Sequence, residues 1–278
     1  MTIHRAIPFP AYRALPGWNW SLIKELTKSP LHLAYARNNP DDGDTDSRIQ
    51  LRLNHTLILE PERFADEYHI WDGTRNNGTQ HKAVQIGNYG KTIIKSSWYE
   101  KSKATADAVR AHPRVAELLD GAETELSLTW TCPRTGLDMK GRLDICKVLS
   151  DRVVIGDCKE IGSTDPLHVD RLIAKHLWHG QGAHYEEGVR QNFGDLPIEY
   201  LIVAMEGKKA QDVVVRRLSA HPPHGFLHLG RELRASLLDR LAECIAADSW
   251  PGVSDQIEDA VPPSYLVDDD DIYLSTED

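Results

Sequence analysis

Gly141-Arg142-Leu143-Asp144-Ile145-Cys146-Lys147-Val148-Leu149-Ser150-Asp151-Arg152-Val153-Val154-Ile155-Gly156-Asp157-Cys158-Lys159 is the stretch on which the fold turns. Its apolar residues over 143–149 and again over 152–159 predict two strands joined by a tight turn at Ser150-Asp151. Upstream, Glu125-Leu126-Ser127-Leu128-Thr129-Trp130 alternates like a half-buried strand and is followed by a turn at Pro133-Arg134-Thr135-Gly136. The three strands make a meander that brings Asp144 close to Asp157 and Lys159. The last two, being i and i+2, leave one face of their strand. Converging carboxylates repel unless a cation lies between them, and a hard divalent ion is the natural occupant. An ammonium beside it can position or activate an attacking water for phosphodiester hydrolysis. The bland alternative is a salt bridge between Lys159 and one aspartate.

Outward from this meander, a long helical stretch is expected over 164–190. An almost continuously apolar strand follows at Tyr200-Leu201-Ile202-Val203-Ala204, then a strand over 212–218 and an amphipathic helix over 226–247. The first third reads helical. Residues 20–26 have Ser21 as a candidate N-cap with Pro30 interrupting, 51–59 stop at Pro61, and 97–119 break at Pro113. Residues 38–44 and 72–82 read as loops. The order predicts an α/β chain: a central mixed sheet flanked by helices, behind a helical N-terminal region. A single domain is expected over 1–254, mainly helical over 1–120 and catalytic over 121–250. An acidic, flexible tail is expected at 255–278.

Hydrophobic residues make up 41% of the 278 and charged residues 27%, the composition of an ordinary globular chain. No apolar run is long enough to span a membrane and no apolar leader is visible, so a cytoplasmic protein is expected. Cys132, Cys146, Cys158 and Cys244 form no CxxC pair, which argues against a zinc ribbon, an iron–sulfur site or a disulfide framework. The net charge of −10 argues at first against a polyanionic partner. Its distribution reverses that. Residues 255–278 hold nine acids and no Lys or Arg, and without them 33 acids face 32 bases.

Gly141-xx-Asp144, Asp157-x-Lys159 and Gln181-xxx-Tyr185, with His55 upstream in Asn54-His55-Thr56-Leu57-Ile58-Leu59-Glu60-Pro61, occur in this order. The set resembles the RecB-type branch of the PD-(D/E)XK nucleases. A narrower likeness covers roughly 20–250 and rests on three segments. They are His55-xxx-Leu59-Glu60-Pro61-xx-Phe64, His112-Pro113 through Leu118-Leu119, and Glu125-x-Ser127-xx-Trp130 before Thr135-Gly136. These look like the exonuclease VIII (RecE-like) recombination nucleases of phages and prophages. The resemblance implies a restriction-endonuclease-like core and a Mg²⁺-dependent exonuclease, with Mn²⁺ as a substitute. It implies degradation of the 5′ strand at double-stranded DNA ends, leaving 3′ overhangs for a single-strand annealing protein. It also implies a homo-oligomeric ring, in a bacterial or phage-infected cell.

By the same resemblance, Asp144 and Asp157 ligate the metal, with His55 and the backbone carbonyl of Cys158 as further ligands. Lys159 positions or activates water and stabilises charge. Glu125, with Glu123 as a rival, binds a second metal or orients water. Gln181 and Tyr185 hold the lysine or the scissile phosphate, and Arg142 can reach a phosphate bidentately. Two departures stand out: no Gly precedes His55, and Glu160 follows the lysine where a small or hydroxylated residue is usual.

Two rival functions share these motifs: a structure-specific endonuclease or repair nuclease, and a non-catalytic DNA-binding recombination accessory protein. Gly87-Asn88-Tyr89-Gly90-Lys91-Thr92 lacks the spacing of a phosphate-binding P-loop. Lys82, Lys91, Lys95 and Arg75 are expected to touch a DNA backbone or to solvate a loop. His168, His176, His179 and His184 have no partner set for zinc and read as a solvated helix face. None of the seven tryptophans stands out as functional.

Overall fold

A computed structural model describes residues 1–40, 43, 45–73, 78–207 and 210–262. Its strands are β1 (Thr2–His4), β2 (Tyr68–Ile70), β3 (Thr92–Ile94), β4 (Glu123–Thr131), β5 (Asp138–Val148), β6 (Val153–Ile161), β7 (Ile198–Glu206) and β8 (Val213–Arg217). The helices before the meander are α1 (Phe9–Ala14), α2 (Trp20–Ile23), α3 (Pro30–Asn38), α4 (Asp46–Leu59), α5 (Phe64–Glu67), α6 (Gly78–Gly87), α7 (Ser96–Ala111) and α8 (Pro113–Leu119). After it come α9 (Pro166–Lys175), α10 (Trp178–Phe193) and α11 (Phe226–Ala247).

Six strands form the central sheet in the order β1-β4-β5-β6-β7-β8, and β2 and β3 make a separate parallel pair. Only β6 and β7 run parallel in the large sheet. A parallel neighbour needs a long crossover, which α9 and α10 supply. The α/β class and the mixed sheet flanked by helices are as the sequence predicts.

Both faces of the sheet are covered, and the period-2 alternation of β6 divides its side chains between them. Val153, Ile155 and Ile161 join a core with Trp20, Leu26, Trp130, Leu143, Tyr200 and Leu238, on the side of α2, α10 and α11. Val154 and Cys158 join a second core with Leu53, Ile58, Val109, Leu118 and Met205, on the side of α4, α7 and α8.

Several local expectations change. Asn19, not Ser21, caps α2, its side chain accepting from the Leu22 N–H at 3.0 Å. Pro30 opens α3 rather than ending a helix, because a first-turn proline gives up no hydrogen bond. Residues 78–82 belong to α6, not to a loop, while 74–77 lie outside the described residues. The long stretch over 164–190 is two helices, broken where Leu177 takes a left-handed φ of 57°. The N-terminal part also supplies β1, which pairs antiparallel with β4 and extends the sheet. Of the acidic tail, 255–262 are exposed without secondary structure, and 263–278 lie outside the described residues.

Two irregularities shape the functional end of the sheet. The β4–β5 ladder runs from Glu123↔Cys146 to Thr131↔Asp138 but omits one rung, between Glu125 and Asp144. Glu125 has φ 50°, a left-handed conformation rare for a non-glycine residue inside a strand. The β5–β6 ladder stops at Ile145↔Gly156, while β6 stays paired with β7 as far as Ile161. Beyond that rung β5 and β6 part, leaving a fork.

Candidate active site

The fork is the site. Asp144 reaches across it, its Oδ2 accepting the backbone N–H of Cys158 at 2.7 Å in place of a ladder bond. Because N–H and C=O of one strand residue point the same way, the Cys158 carbonyl also faces the fork. From the α4 side, His55 Nδ1 comes within 3.8 Å of Glu125 Oε1 and 3.9 Å of Asp144 Oδ2. Helix α4 is held there by Leu53 and Ile58, both fully buried, and its first turn is capped by Thr45. One ligand atom each from His55, Glu125 and Asp144 lie within 4.8 Å of one another.

From the α10 side, the Lys159 ammonium lies 2.9 Å from Asp157 Oδ1 and 2.7 Å from Oδ2. Asp157 is 1% exposed, and its Oδ2 makes no well-directed hydrogen bond. Gln181 bridges the pair: its Oε1 accepts from Lys159 at 3.3 Å and its Nε2 donates to Asp157 Oδ1 at 3.3 Å. The same amide donates to the Tyr185 hydroxyl at 3.2 Å. Tyr185 fits because position 141 is glycine. A Cβ there would meet the Tyr185 ring at 3.0 Å, so the glycine of GxxD and the tyrosine of QxxxY are two sides of one contact.

Electrostatics separate the carboxylates. Burial opposes ionisation of Glu125, but His55 and Arg142 hold its carboxyl below the ordinary range. At Asp144 burial raises the carboxyl, His55 pulls it back, and the charges of Asp157 and Glu125 complete a rise to about 7. For His55, burial acts against the charge, yet Asp144 and Glu125 lift the imidazole to about 9. Lys159 likewise outlasts its burial, because Asp157 and Asp144 push it up and keep it an ammonium. Crowded carboxylates, one of them driven toward neutrality, are the pattern a divalent cation relieves.

The donor set therefore fits a metal. His55, Glu125 and Asp144 offer a nitrogen and two carboxylates, a set that can hold a divalent cation with water completing the shell. Glu125, expected to bind a second metal or to orient water, lies in this trio. Among the described residues Asp157 is outside it, turned to Lys159. Glu123 points away and pairs with Arg5 at 2.5 Å. Arg142 does not reach into open space for a phosphate: it binds the Glu125 carboxylate and donates to the Ile7 carbonyl at 2.9 Å. Glu160 turns its side chain away from Lys159, toward α4.

Some neighbours went unread in the sequence. The Trp178 ring centroid is 5.6 Å from the Lys159 ammonium. Its signal was spacing, since Trp178, Gln181 and Tyr185 are i, i+3 and i+7 on one helix face. His184, expected on a solvated face, is fully buried. It bonds the Lys140 carbonyl at 3.0 Å through Nε2 and receives Arg234 Nε at Nδ1, 3.3 Å away. Burial and then Arg234 lower it to about 3. Lys91 donates to the Ala65 carbonyl at 2.6 Å, and Arg75 lies outside the described residues. Surface hollows of about 250 and 480 Å³, lined by Arg110 and Asp120 and by His81, Tyr89 and Lys91, share no residue with the fork. No helix among the described residues is long and apolar enough to cross a membrane.

Comparison with known proteins agrees with the fold. A solved structure of a candidate exonuclease from Eubacterium rectale has the same fold. Its TM-score is 0.58 at 12% identity, over 90% of this chain and 92% of that one. Two others are more distant and carry no argument. SSO0001 has TM-score 0.31 and 13% identity, over 76% of this chain and 90% of its own. VC1899 from Vibrio cholerae has TM-score 0.24 and 14% identity, over 84% and 58%. No curated protein matches the sequence. Residues 19–260 match the family described as a PDDEXK-like domain of unknown function (DUF3799), and the chain belongs to that family.

Proposed function

We propose that this protein is a metal-dependent deoxyribonuclease that digests linear double-stranded DNA from its ends. The observation that carries the reading is the fork itself, where His55, Glu125 and Asp144 face one another beside the buried Asp157–Lys159 pair. A divalent cation, when bound, supplies Lewis acidity toward water and the phosphoryl oxygens.

The chain's own residues do the rest. Lys159, kept charged and fixed by Asp157 and Gln181, stabilises negative charge developing on the phosphate rather than acting as a base. Gln181 ties that ammonium to Tyr185, whose hydroxyl burial keeps protonated. Arg142 orients Glu125 from behind.

The finer assignments rest on the sequence resemblance: Mg²⁺ with Mn²⁺ as substitute, loss of the 5′ strand, 3′ overhangs, a homo-oligomeric ring and an annealing partner in a bacterial or phage-infected cell. The test uses purified protein and the Asp144→Asn and Asp157→Ala variants on end-labelled linear and covalently closed duplexes, with Mg²⁺, Mn²⁺ or chelator. Wild type is expected to release 5′-labelled nucleotides from linear DNA with either ion. It should spare closed circles, and both variants and chelated wild type should be silent. Absence of cation-dependent digestion overturns the nuclease reading. Cutting of closed circles replaces it with an endonuclease, and binding without cleavage with an accessory protein.

A further inference from the structure

The residue before His55 is bonded to the residue after Lys159. Asn54 Nδ2, on α4, donates to Glu160 Oε2, on β6, at 2.6 Å. A bond from an amide N–H to a carboxylate is charge-assisted. Asn54 is 2% exposed, so its amide has no access to solvent as an alternative partner. The far side of Glu160 is shaped to match. A Cβ at Gly207, just past β7, would lie 1.8 Å from Glu160 Oε1. The carboxylate thus sits between a buried amide and a gap that only glycine leaves.

We propose that Glu160 and Asn54 form a positioning clamp that sets His55 over Glu125 and Asp144 for cation binding. Successive helix residues are about 100° apart around the axis. Fixing the direction of Asn54 therefore fixes the roll of α4, and with it where the His55 ring points. Glu160 is anchored on the strand that carries Asp157 and Lys159, so one bond sets the α4 donor against the β6 pair. An acid after the lysine, at odds with the usual pattern, then turns its charge away from Lys159. It spends that charge on the opposite face of β6. Partners that orient metal ligands from behind are worth about 10- to 100-fold in metal affinity.

The clamp rests on the metal reading above, and its test reads cation binding rather than turnover. Mn²⁺ affinity is measured by electron paramagnetic resonance on the full chain, with thermal midpoints recorded alongside. Glu160→Ala is expected to weaken Mn²⁺ binding about 10- to 100-fold, while Glu160→Gln, which keeps an acceptor, stays near wild type. Asn54→Asp sets two carboxylates face to face and should weaken binding. Combining Asn54→Asp with Glu160→Gln restores an amide–carboxylate pair of the same shape and should recover most of the loss. Gly207→Ala should weaken binding in wild type but not further in Glu160→Ala. Unchanged affinity in Glu160→Ala, or a reciprocal pair as weak as Asn54→Asp alone, overturns the clamp and leaves the metal site standing. A wild type that binds no Mn²⁺ overturns both.

Discussion

Glu125 stands across from Asp144 at the missing rung of the β4–β5 ladder, on a backbone that has turned left-handed to put it there. The strand gives up a regular pair so that two carboxylates can face the same histidine. Backbone strain of this kind persists where the surrounding fold enforces it, and here it falls at the proposed site.

Relief of that strain should separate stability from function. A left-handed non-glycine residue costs about 1–2 kcal/mol. Glu125→Gly is therefore expected to be more stable than Glu125→Ala by about 1 kcal/mol in urea unfolding. Both variants should bind Mn²⁺ more weakly than wild type. Equal stability of the two would show that the loop-like backbone carries no strain.

Lys159 is expected to matter for folding as well as chemistry. Lys159→Met leaves Asp157 buried with no cation beside it, and unpairing a buried charge costs about 3 kcal/mol or more. Adding Asp157→Asn removes that charge and should return part of the loss. Unfolding midpoints of the two variants decide the point: a double variant no more stable than the single one would mean that the pair is not effectively buried.

His184 gives an acid-side prediction. Its folded pKa, about 3, lies below the ordinary histidine value of about 6.5. The unfolded chain therefore binds the extra proton first, so the stability tied to neutral His184 is complete above about pH 6.5 and is lost as pH falls toward 3. His184→Gln can keep both hydrogen bonds without titrating. Between pH 7 and pH 4 wild type should lose roughly 3 kcal/mol relative to this variant. Parallel profiles would place a charged imidazole in the folded state.

Cation binding should be visible without DNA. At about a hundredfold excess over its dissociation constant, a ligand specific to the folded state adds about 2.7 kcal/mol. Mn²⁺ is accordingly expected to raise the Tm of wild type, chelator to reverse the rise, and Asp144→Asn to abolish most of it. An equal rise in the variant would put the ion elsewhere.

The meander and its motif residues were legible because strands announce themselves by period 2, and because Asp144, Asp157 and Lys159 lie within a hairpin's reach. Local patterns carry such information directly. The trio of His55, Glu125 and Asp144 was less accessible. It depends on Glu125 leaving its ladder, and alternation along β4 holds no sign of one left-handed residue. Arg142 was misread for a similar reason: its acceptor, the Ile7 carbonyl, lies 135 residues away in a segment with no motif. The break at Leu177 was hidden because a leucine there looks like helix interior. His184 looked solvated because a one-letter pattern cannot show Arg234 arriving from α11.

The family match begins at residue 19, yet the fork depends on what comes before it. Arg142 uses the carbonyl of Ile7, and Lys140 donates to those of Arg13 and Leu15 at 2.8 and 2.5 Å. Trimming the chain to the family boundary would strip β1 from the sheet edge and leave both cations short of their acceptors. Arg142 would then be held by its pairing with Glu125 alone of the two contacts described. A fragment that expresses and folds could for this reason bind metal badly. The smallest piece fit for activity measurements starts at the first strand, not at the first recognisable motif.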